Sequence, residues 1–291
     1  MTDKSLTGRR ARQRAVQQAV DGGLAELVPD LSRTDSWLLF IGGVPQSQVD
    51  LADPAVLEFE YVRRIGHVID LAFPQGQPLR ALHLGGGAMT LPRYVAVTRR
   101  GSTQLVAETD AALTDLVRRH LPLPGPREAG GRIKVRAQDA RQALESARPG
   151  SYDLVVSDVY AEARTPFQMT TAQCAAAALR ALRDGGVYVV NVADAPPLRH
   201  ARSQAATVRS VFPEAAMIAE PGLLRGRRTG NLVLIAGRGP VPVGDLRRRA
   251  AADPFTARVV ADAELARFAA GAPVITDSDD PGTAIAEATD W

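Results

Sequence analysis

The stretch from Leu79 to Asp110 constrains the fold more than any other part of the chain. A short apolar run of strand length stops there at three consecutive glycines, Gly85, Gly86 and Gly87, and a helix-compatible segment follows. A second apolar run ends on Glu108, about 20 residues after the glycines, where nucleotide-binding α/β folds place a carboxylate that accepts hydrogen bonds from ribose hydroxyls. The stretch therefore predicts strand, tight turn, helix and strand around a nucleoside.

The glycine spacing differs from the dinucleotide fingerprint G-x-G-x-x-G, which would need a glycine near Thr90. A helix N-terminus that cradles a pyrophosphate is therefore not indicated, and a nucleoside without a phosphate chain fits better. The structural alternative is that the glycines only make a tight turn and that Glu108 is a solvated strand end.

Strand-like and helix-like segments alternate through the middle of the chain, which is the order that gives a parallel sheet covered by helices. The predicted strands are 79–84, 102–107, 132–136, 152–157 and 186–192, and the predicted helices are 89–98, 110–120, 139–147, 170–183 and 198–211. The strands around 155 and 189 are apolar with little alternation, as in strands that are covered on both faces. We predict an α/β fold with a doubly wound, mostly parallel, Rossmann-like sheet.

The flanking segments suggest three parts. Residues 1–22 are predicted to be a flexible basic arm, 23–52 a small N-terminal β-hairpin unit, and 53–291 the catalytic domain, with an antiparallel edge at about 214–237. Asp53 as N-cap and Pro54 as first helical residue predict a helix that runs to about Ala72. Two short helices, around 243–251 and 262–270, are expected in the tail.

Composition limits the kinds of site that the chain can carry. Cys174 is the single cysteine, which excludes intramolecular disulfides and cysteine-cluster metal sites and favours a reducing compartment. The four histidines lack ligand-like spacing, so no metal is expected.

No apolar run approaches the length of a membrane span, and the net charge is only +3, with no aromatic residues among the arginine clusters. We expect a cytoplasmic protein that binds neither membranes nor nucleic acid.

Ligands of doubly wound sheets bind beyond the carboxyl ends of the strands. Besides the glycines and Glu108, those ends carry Asp110, Asp139 and Asp158. Aspartate is also a good helix N-cap, and both Asp110 and Asp139 stand at the start of a predicted helix. We interpret Asp110 as a cap, whereas a functional role and a structural role both remain open for Asp139 and Asp158.

The order of the segments LHLGGGA, VAETD, AQDA and YDLVVSDVY resembles the spermidine synthase family of aminopropyltransferases, which share the fold of S-adenosylmethionine-dependent methyltransferases. Upstream, GVPQSQ followed by YVRRIGH resembles the family's glutamine-bearing hairpin and its helix with Tyr and His six residues apart. The resemblance covers about Leu38 to Val192, and it implies a Rossmann-like methyltransferase sheet.

At the nucleoside end, the resemblance implies that Gln46 contacts the nucleoside, that Glu108 binds the ribose hydroxyls, and that Asp139 binds the adenine amino group. The glycines Gly85, Gly86 and Gly87 would lie against the same ligand. The ligand would be decarboxylated S-adenosylmethionine or S-adenosylmethionine, with methylthioadenosine or S-adenosylhomocysteine as the product.

At the amine end, Asp158 matches the family's catalytic aspartate, which orients the attacking amine and takes its proton. Tyr61 and His67 would line the pocket, and Tyr160 and Glu162 would bind the substrate. The expected partner is a small-molecule amine, and the family resemblance makes a homodimer a reasonable expectation.

Two positions depart from the family pattern. Ala88 follows the glycines where the family usually has an aspartate for the amino end of the aminopropyl group, and Ala161 stands where an Asp-Pro pair usually begins. Glu162 could replace one of these carboxylates. The sequence favours an aminopropyltransferase of polyamine biosynthesis; the alternatives are a methyltransferase of the same fold and a catalytically silent nucleoside-binding scaffold.

Overall fold

The computed structural model describes residues 14–160 and 165–280. Within these residues the strands are β1 Val16–Val20, β2 Gly23–Pro29, β3 Ser36–Ile41, β4 Val44–Asp50, β5 Arg80–Leu84, β6 Thr103–Ala107, β7 Arg132–Arg136, β8 Tyr152–Ser157, β9 Leu182–Asp194, β10 Glu214–Ala219, β11 Gly230–Gly237 and β12 Arg258–Ala261. The α-helices are α1 Glu60–Ala72, α2 Thr90–Thr98, α3 Ala111–His120, α4 Pro126–Ala129, α5 Ala140–Glu145, α6 Ala172–Ala181, α7 Arg199–Val211, α8 Pro221–Leu224, α9 Val243–Ala252 and α10 Asp262–Ala269.

The N-terminal strands form an antiparallel sheet in the order β1-β2-β3-β4. Gly42 and Gly43 connect β3 to β4 with φ angles of +57° and +77°, the left-handed pair that a two-residue hairpin turn requires. The buried face of the sheet, which includes Leu27, Trp37 and Leu39, packs against α3 and against Ala88 and Met89, which directly precede α2. The predicted hairpin unit is therefore a complete small sheet that is docked on the main domain.

The larger sheet has eight strands in the order β12-β10-β11-β9-β8-β5-β6-β7. The strands from β7 to β9 are parallel to one another, and β11, β10 and β12 add in antiparallel fashion beyond β9. This arrangement confirms the predicted α/β fold with its doubly wound, mostly parallel sheet. After β7 the chain returns to the other side of β5, so the topological switch point lies between β5 and β8, where such folds bind their ligands.

Helices cover both faces of this sheet. One face packs against α5, α6, α7 and α10, and the opposite face packs against α1, α2 and α9. The central strands are accordingly buried on both sides, as their apolar sequences predict. No helix in the described ranges is long and apolar enough to cross a membrane.

The structure differs from the sequence prediction at several points. Val16–Val20, which fell within the predicted flexible arm, forms strand β1 on β2; its alternating burial gives only a weak signal in so short a segment. Helix α1 begins at Glu60 and not at Pro54. Asp53 Oδ1 accepts from the amide of Ala55 in a local turn, and Leu57 packs in the core before the helix starts. Strand β12 and the start of β9 at Leu182 were also missed.

Candidate functional site

A cavity of about 540 Å³ lies at the carboxyl ends of the parallel strands, with the N-terminal sheet as one of its walls. Five carboxylates line it, those of Asp21, Glu108, Asp110, Asp139 and Asp158. No lysine or arginine is found among its lining residues in the part of the chain that the structure describes. The cavity is therefore strongly acidic.

The glycine turn after β5 forms the floor of the cavity. The amide of Gly85 donates to the carbonyl of Ala107 at 2.9 Å, and Gly85 has a φ of +86°. A Cβ at this position would lie 2.2 Å from the backbone oxygen of Asp158, so both the conformation and the close approach require glycine. The turn therefore brings the end of β5 into contact with the end of β8.

Glu108 is half-buried, and backbone amides hold its carboxylate against the glycine turn. Its Oε2 accepts from the amide of Gly86 at 2.9 Å and more weakly from that of Gly87 at 3.4 Å, while its Oε1 accepts from the amide of Asp110 at 3.0 Å. Each carboxylate oxygen has two acceptor positions, so Glu108 retains capacity for hydroxyl donors from a ligand. Glu108 thus lies in the cavity wall with acceptor positions free, and its role in binding the ribose stays a prediction.

Asp110 and Asp139 both cap helices while they line the cavity. Asp110 Oδ1 accepts from the amide of Leu113 at 2.8 Å at the start of α3, which confirms the cap interpretation. Its Oδ2 accepts from the amide of Asp21 at 2.8 Å and so attaches the turn between β1 and β2 to the main domain. Asp139 Oδ1 accepts from the amide of Gln142 at 2.9 Å at the start of α5. The cap on α5 and a contact with a ligand are compatible roles for Asp139.

Strand β4 supplies two polar side chains to the cavity, those of Gln46 and Ser47. Ser47 Oγ accepts from the amide of Ala88 at 3.3 Å, which links the N-terminal sheet to the glycine turn. Ala88 itself is buried, with 1% of its surface exposed, and it is not among the residues that line the cavity. Ala88, one of the two positions that depart from the family pattern, therefore lies behind the cavity wall.

Asp158 follows β8 and receives hydrogen bonds from two side chains. Its Oδ1 accepts from Asn191 Nδ2 at 2.9 Å, and its Oδ2 accepts from the Tyr61 hydroxyl at 3.2 Å. Burial raises the pKa of Asp158, and the hydrogen bonds from Asn191 and Tyr61 oppose that rise. The arrangement gives an oriented carboxylate with an increased affinity for a proton.

Two tyrosines accompany Asp158 in the cavity wall. Burial and the nearby Asp158 carboxylate raise the pKa of both Tyr61 and Tyr160, so both phenols stay protonated near pH 7. Tyr61 is therefore a hydrogen-bond donor to Asp158. Glu162 lies outside the described residues, as does Ala161.

His67 does not join this group. Its Nε2 lies 2.7 Å from Asp253 Oδ2, and Arg63 binds the same carboxylate at 2.9 Å. Because six residues rotate an α-helix by about 600°, Tyr61 and His67 lie about 120° apart around α1. His67 is not among the residues that line the cavity, so the predicted pocket role was wrong for this residue.

Sequence reasoning missed three polar residues near Asp158, namely Ser47, His83 and Asn191. His83 is 2% exposed at the end of β5, and Asn191 is 2% exposed within β9. The sequence feature that could have indicated them is a single polar residue inside an apolar strand, which is His83 in LHL and Asn191 in VVNV. Such residues are usually partnered in the core, and only the strand order shows that these two adjoin Asp158.

No protein-family model matches the chain, and no curated protein matches it either. Among solved structures, a spermidine synthase from Thermotoga maritima and a spermidine synthase in complex with the transition-state analogue AdoDATO are each 14% identical to this chain. Each alignment covers 83% of this chain and 78% of the other, with TM-scores of 0.55 and 0.54, and shows a shared fold.

A further solved structure is much more similar to this chain. It is a probable spermidine synthase from Corynebacterium glutamicum, with 35% sequence identity and a TM-score of 0.82. The alignment covers 90% of this chain and 96% of that chain. Identity at this level over nearly the whole of both proteins shows that the chain belongs to the spermidine synthase family.

Proposed function

We propose that the protein is an aminopropyltransferase that moves an aminopropyl group from decarboxylated S-adenosylmethionine to a small-molecule amine. The observation that carries this proposal is the charge of the cavity, which five carboxylates line without a lysine or arginine in its described wall. Both substrates are cations, because the donor carries a sulfonium and an ammonium group and the acceptor is an amine. An acidic cavity concentrates such ligands and compensates their charge when they leave water.

The residues present suit the nucleoside part of the donor. Ligand cavities usually measure about 300–1,000 Å³, and this one is within that range. The glycine turn lets a ligand approach the backbone, and Glu108 offers acceptor positions for the ribose hydroxyls. Gln46 and Asp139 would bind the base, as the family resemblance implies.

Asp158 would perform the proton transfer. A protonated amine is not a nucleophile, so a carboxylate must orient the acceptor amine and take its proton as the nitrogen attacks. When bound, the donor supplies the carbon next to the sulfonium, and the electron pair of the broken C–S bond stays on sulfur as methylthioadenosine leaves. The raised pKa of Asp158 makes it a better base, and Asn191 and Tyr61 hold its orientation.

The charge of the cavity lining also favours decarboxylated S-adenosylmethionine over S-adenosylmethionine itself as the donor. A methyltransferase would have to compensate the carboxylate of the methionyl group, and the described lining holds no basic side chain for that purpose. Ala88 lacks the carboxylate that the family usually has at this position, but this residue is buried and does not line the cavity.

Calorimetric titration of the purified protein with each of the two donors tests the proposal. We expect the decarboxylated form to bind at least tenfold more tightly, because it lacks the unpaired carboxylate. Tighter binding of S-adenosylmethionine would replace the proposal with a methyltransferase, and binding of neither would indicate a scaffold. After the expected result, a screen of amine acceptors identifies the second substrate.

We further propose that the reaction belongs to polyamine biosynthesis, that it takes place in the cytoplasm and that the protein works as a homodimer. These points rest on the family and on the chemistry of the substrates. Size-exclusion chromatography with light scattering tests the homodimer directly.

A further inference from the structure

Two separate pieces of the chain form one side of the large cavity, whose volume is about 540 Å³. Residues 138–140 line it at the start of α5, and three of the residues 166–169 line it shortly before α6. The second piece contains the single 3-10 turn Phe167–Met169. Because one isolated turn has little stability of its own, the position of this part of the wall depends on contacts with other elements.

The Arg141 guanidinium connects the two pieces. Arg141 is the second residue of α5 and follows Asp139 by two positions. Its Nη1 donates to the backbone oxygen of Gln168 at 2.7 Å and to Thr171 Oγ1 at 3.1 Å, and Thr171 is the N-cap of α6. This one side chain therefore sets the distance between the start of α5 and the turn that forms the wall beside it.

Asp277 holds the same guanidinium from another side. Its Oδ2 accepts from Arg141 Nη2 at 2.8 Å, and its Oδ1 accepts from Arg141 Nη1 at 3.2 Å. Paired hydrogen bonds of this kind fix the orientation of a guanidinium as well as its position. The Asp277 amide donates to Gln173 Oε1 at 3.1 Å, and nearby the carbonyl of Ile275 accepts from the amide of Ala172 at 2.8 Å. Asp277 is thus attached to the start of α6.

We infer that Arg141, held by Asp277, is a positioning residue that keeps the wall formed by residues 166–169 in place for the base of the donor. The inference rests on the proposed function, which assigns the base to this end of the cavity beside Asp139. Neither Arg141 nor Asp277 is among the cavity-lining residues in the described part of the chain, so the pair acts through the backbone of Gln168 and does not touch the ligand. A ligand that meets a preformed wall binds more tightly than one that must first order it.

Calorimetric titration with methylthioadenosine, together with steady-state kinetics, tests the inference on Asp277→Asn. Asparagine keeps the size of the side chain and removes its charge. We expect the variant to bind methylthioadenosine about threefold to tenfold more weakly, and the KM for decarboxylated S-adenosylmethionine to rise by a similar factor, because the loosened wall must be ordered on binding. Turnover at saturating donor should stay within about twofold, because Asp158 and its partners are unchanged.

Arg141→Gln removes the other partner of the pair. This variant should lose at least as much affinity for methylthioadenosine as Asp277→Asn does, because the contact with the backbone of Gln168 is lost as well. The combined variant should lose little more than Arg141→Gln alone, since Asp277 acts through Arg141.

Glu145→Gln is the matched control. Glu145 Oε1 accepts from Nε of the same guanidinium at 2.6 Å, but Glu145 lies at the end of α5, is half exposed and does not line the cavity. This variant also removes one carboxylate from Arg141 while the pair with Asp277 remains. Its affinity for methylthioadenosine should therefore stay within about twofold of that of the unchanged protein.

The results separate this positioning role from a merely structural one. A lower melting temperature without a loss of affinity in Asp277→Asn and Arg141→Gln, or no change in either variant, overturns the inference while the proposed function stands. An equal loss of affinity in Glu145→Gln, a loss confined to turnover, or additive losses in the combined variant also overturn it. If the unchanged protein does not bind methylthioadenosine, the proposed function and the inference both fail.

Discussion

Glu108 and Asp158 are carboxylates at the ends of the two strands that flank β5, yet they are held in different ways. Glu108 accepts from the backbone amides of Gly86 and Asp110, whereas Asp158, among the described residues, accepts from the side chains of Tyr61 and Asn191. Backbone donors fix a carboxylate as an acceptor for a ligand. Side-chain donors in a buried setting leave the pKa of Asp158 raised, which prepares that carboxylate to take a proton.

The largest expected effect comes from Asp158→Asn. An amide cannot take a proton from the attacking amine, so turnover should fall by about 10²–10⁴-fold. Binding of methylthioadenosine should change little, because this ligand has no amine to deprotonate. Steady-state turnover and calorimetry check the two parts, and unchanged turnover would remove Asp158 from the mechanism.

Asp158→Asn also tests how much the buried, ionised Asp158 carboxylate lowers the free energy of unfolding. The folded protein holds a proton on Asp158 up to a higher pH than the unfolded chain does, so ionisation above that pKa lowers the free energy of unfolding. Asp158→Asn should therefore raise the melting temperature at neutral pH, and the gain should shrink as the pH falls through the raised pKa. A lower melting temperature at neutral pH would contradict a costly buried charge.

Glu108→Gln should weaken the binding of methylthioadenosine more than it slows turnover. We expect the affinity for methylthioadenosine to fall about tenfold to a hundredfold, because charge-assisted hydrogen bonds to the ribose are lost, while turnover at saturating donor changes less. Glu128→Gln is the control, since Glu128 accepts the amide of Gly125 at an exposed helix start away from the cavity. A loss confined to turnover would reverse the roles that we give to the two carboxylates.

Tyr61→Phe should shift the pH dependence of activity with a smaller loss of turnover. The hydrogen bond from Tyr61 lowers the pKa of Asp158, so its removal should raise that pKa further. Because the reaction needs the ionised carboxylate, the acid limb of kcat/KM should move to higher pH. Tyr94→Phe removes a similar hydrogen bond, to Asp70, outside the cavity and should leave the profile unchanged. A shift to lower pH in Tyr61→Phe would contradict the assignment.

His67→Leu should have the smallest effect on activity. His67 binds Asp253 and does not line the cavity, so turnover should stay within about twofold while the free energy of unfolding falls by about 1 kcal/mol. Urea denaturation and steady-state kinetics measure the two quantities. A large loss of turnover in a folded variant would restore the pocket role that the sequence implied.

The sequence predicted the parallel half of the fold well, because buried strands and amphipathic helices leave strong periodic patterns between Leu79 and Val192. It also predicted that Glu108 and Asp158 stand at strand ends, and the structure shows both in the cavity wall; their roles stay predictions. The helix start at Glu60 was missed because Asp53 and Pro54 carry strong local signals, whereas the packing of Leu57 in the core is a tertiary effect.

The neighbours of Asp158 could not be predicted in the same way. Asn191 lies 33 residues further along the chain in β9, and only the pairing of β8 with β9 brings its amide to the carboxylate. His67 failed for a related reason, because a spacing of six residues does not keep two side chains on one face of a helix.

The wall that Gln46 and Ser47 give to the large cavity joins two separately built sheets around one cavity. Under the proposed function, a bound donor would touch both sheets and stabilise their attachment by mass action, by about 2.7 kcal/mol when its concentration is a hundred times the Kd. The concentration of the donor would then set how firmly the N-terminal sheet is attached, and limited proteolysis without donor would cut first at the contact between the two sheets.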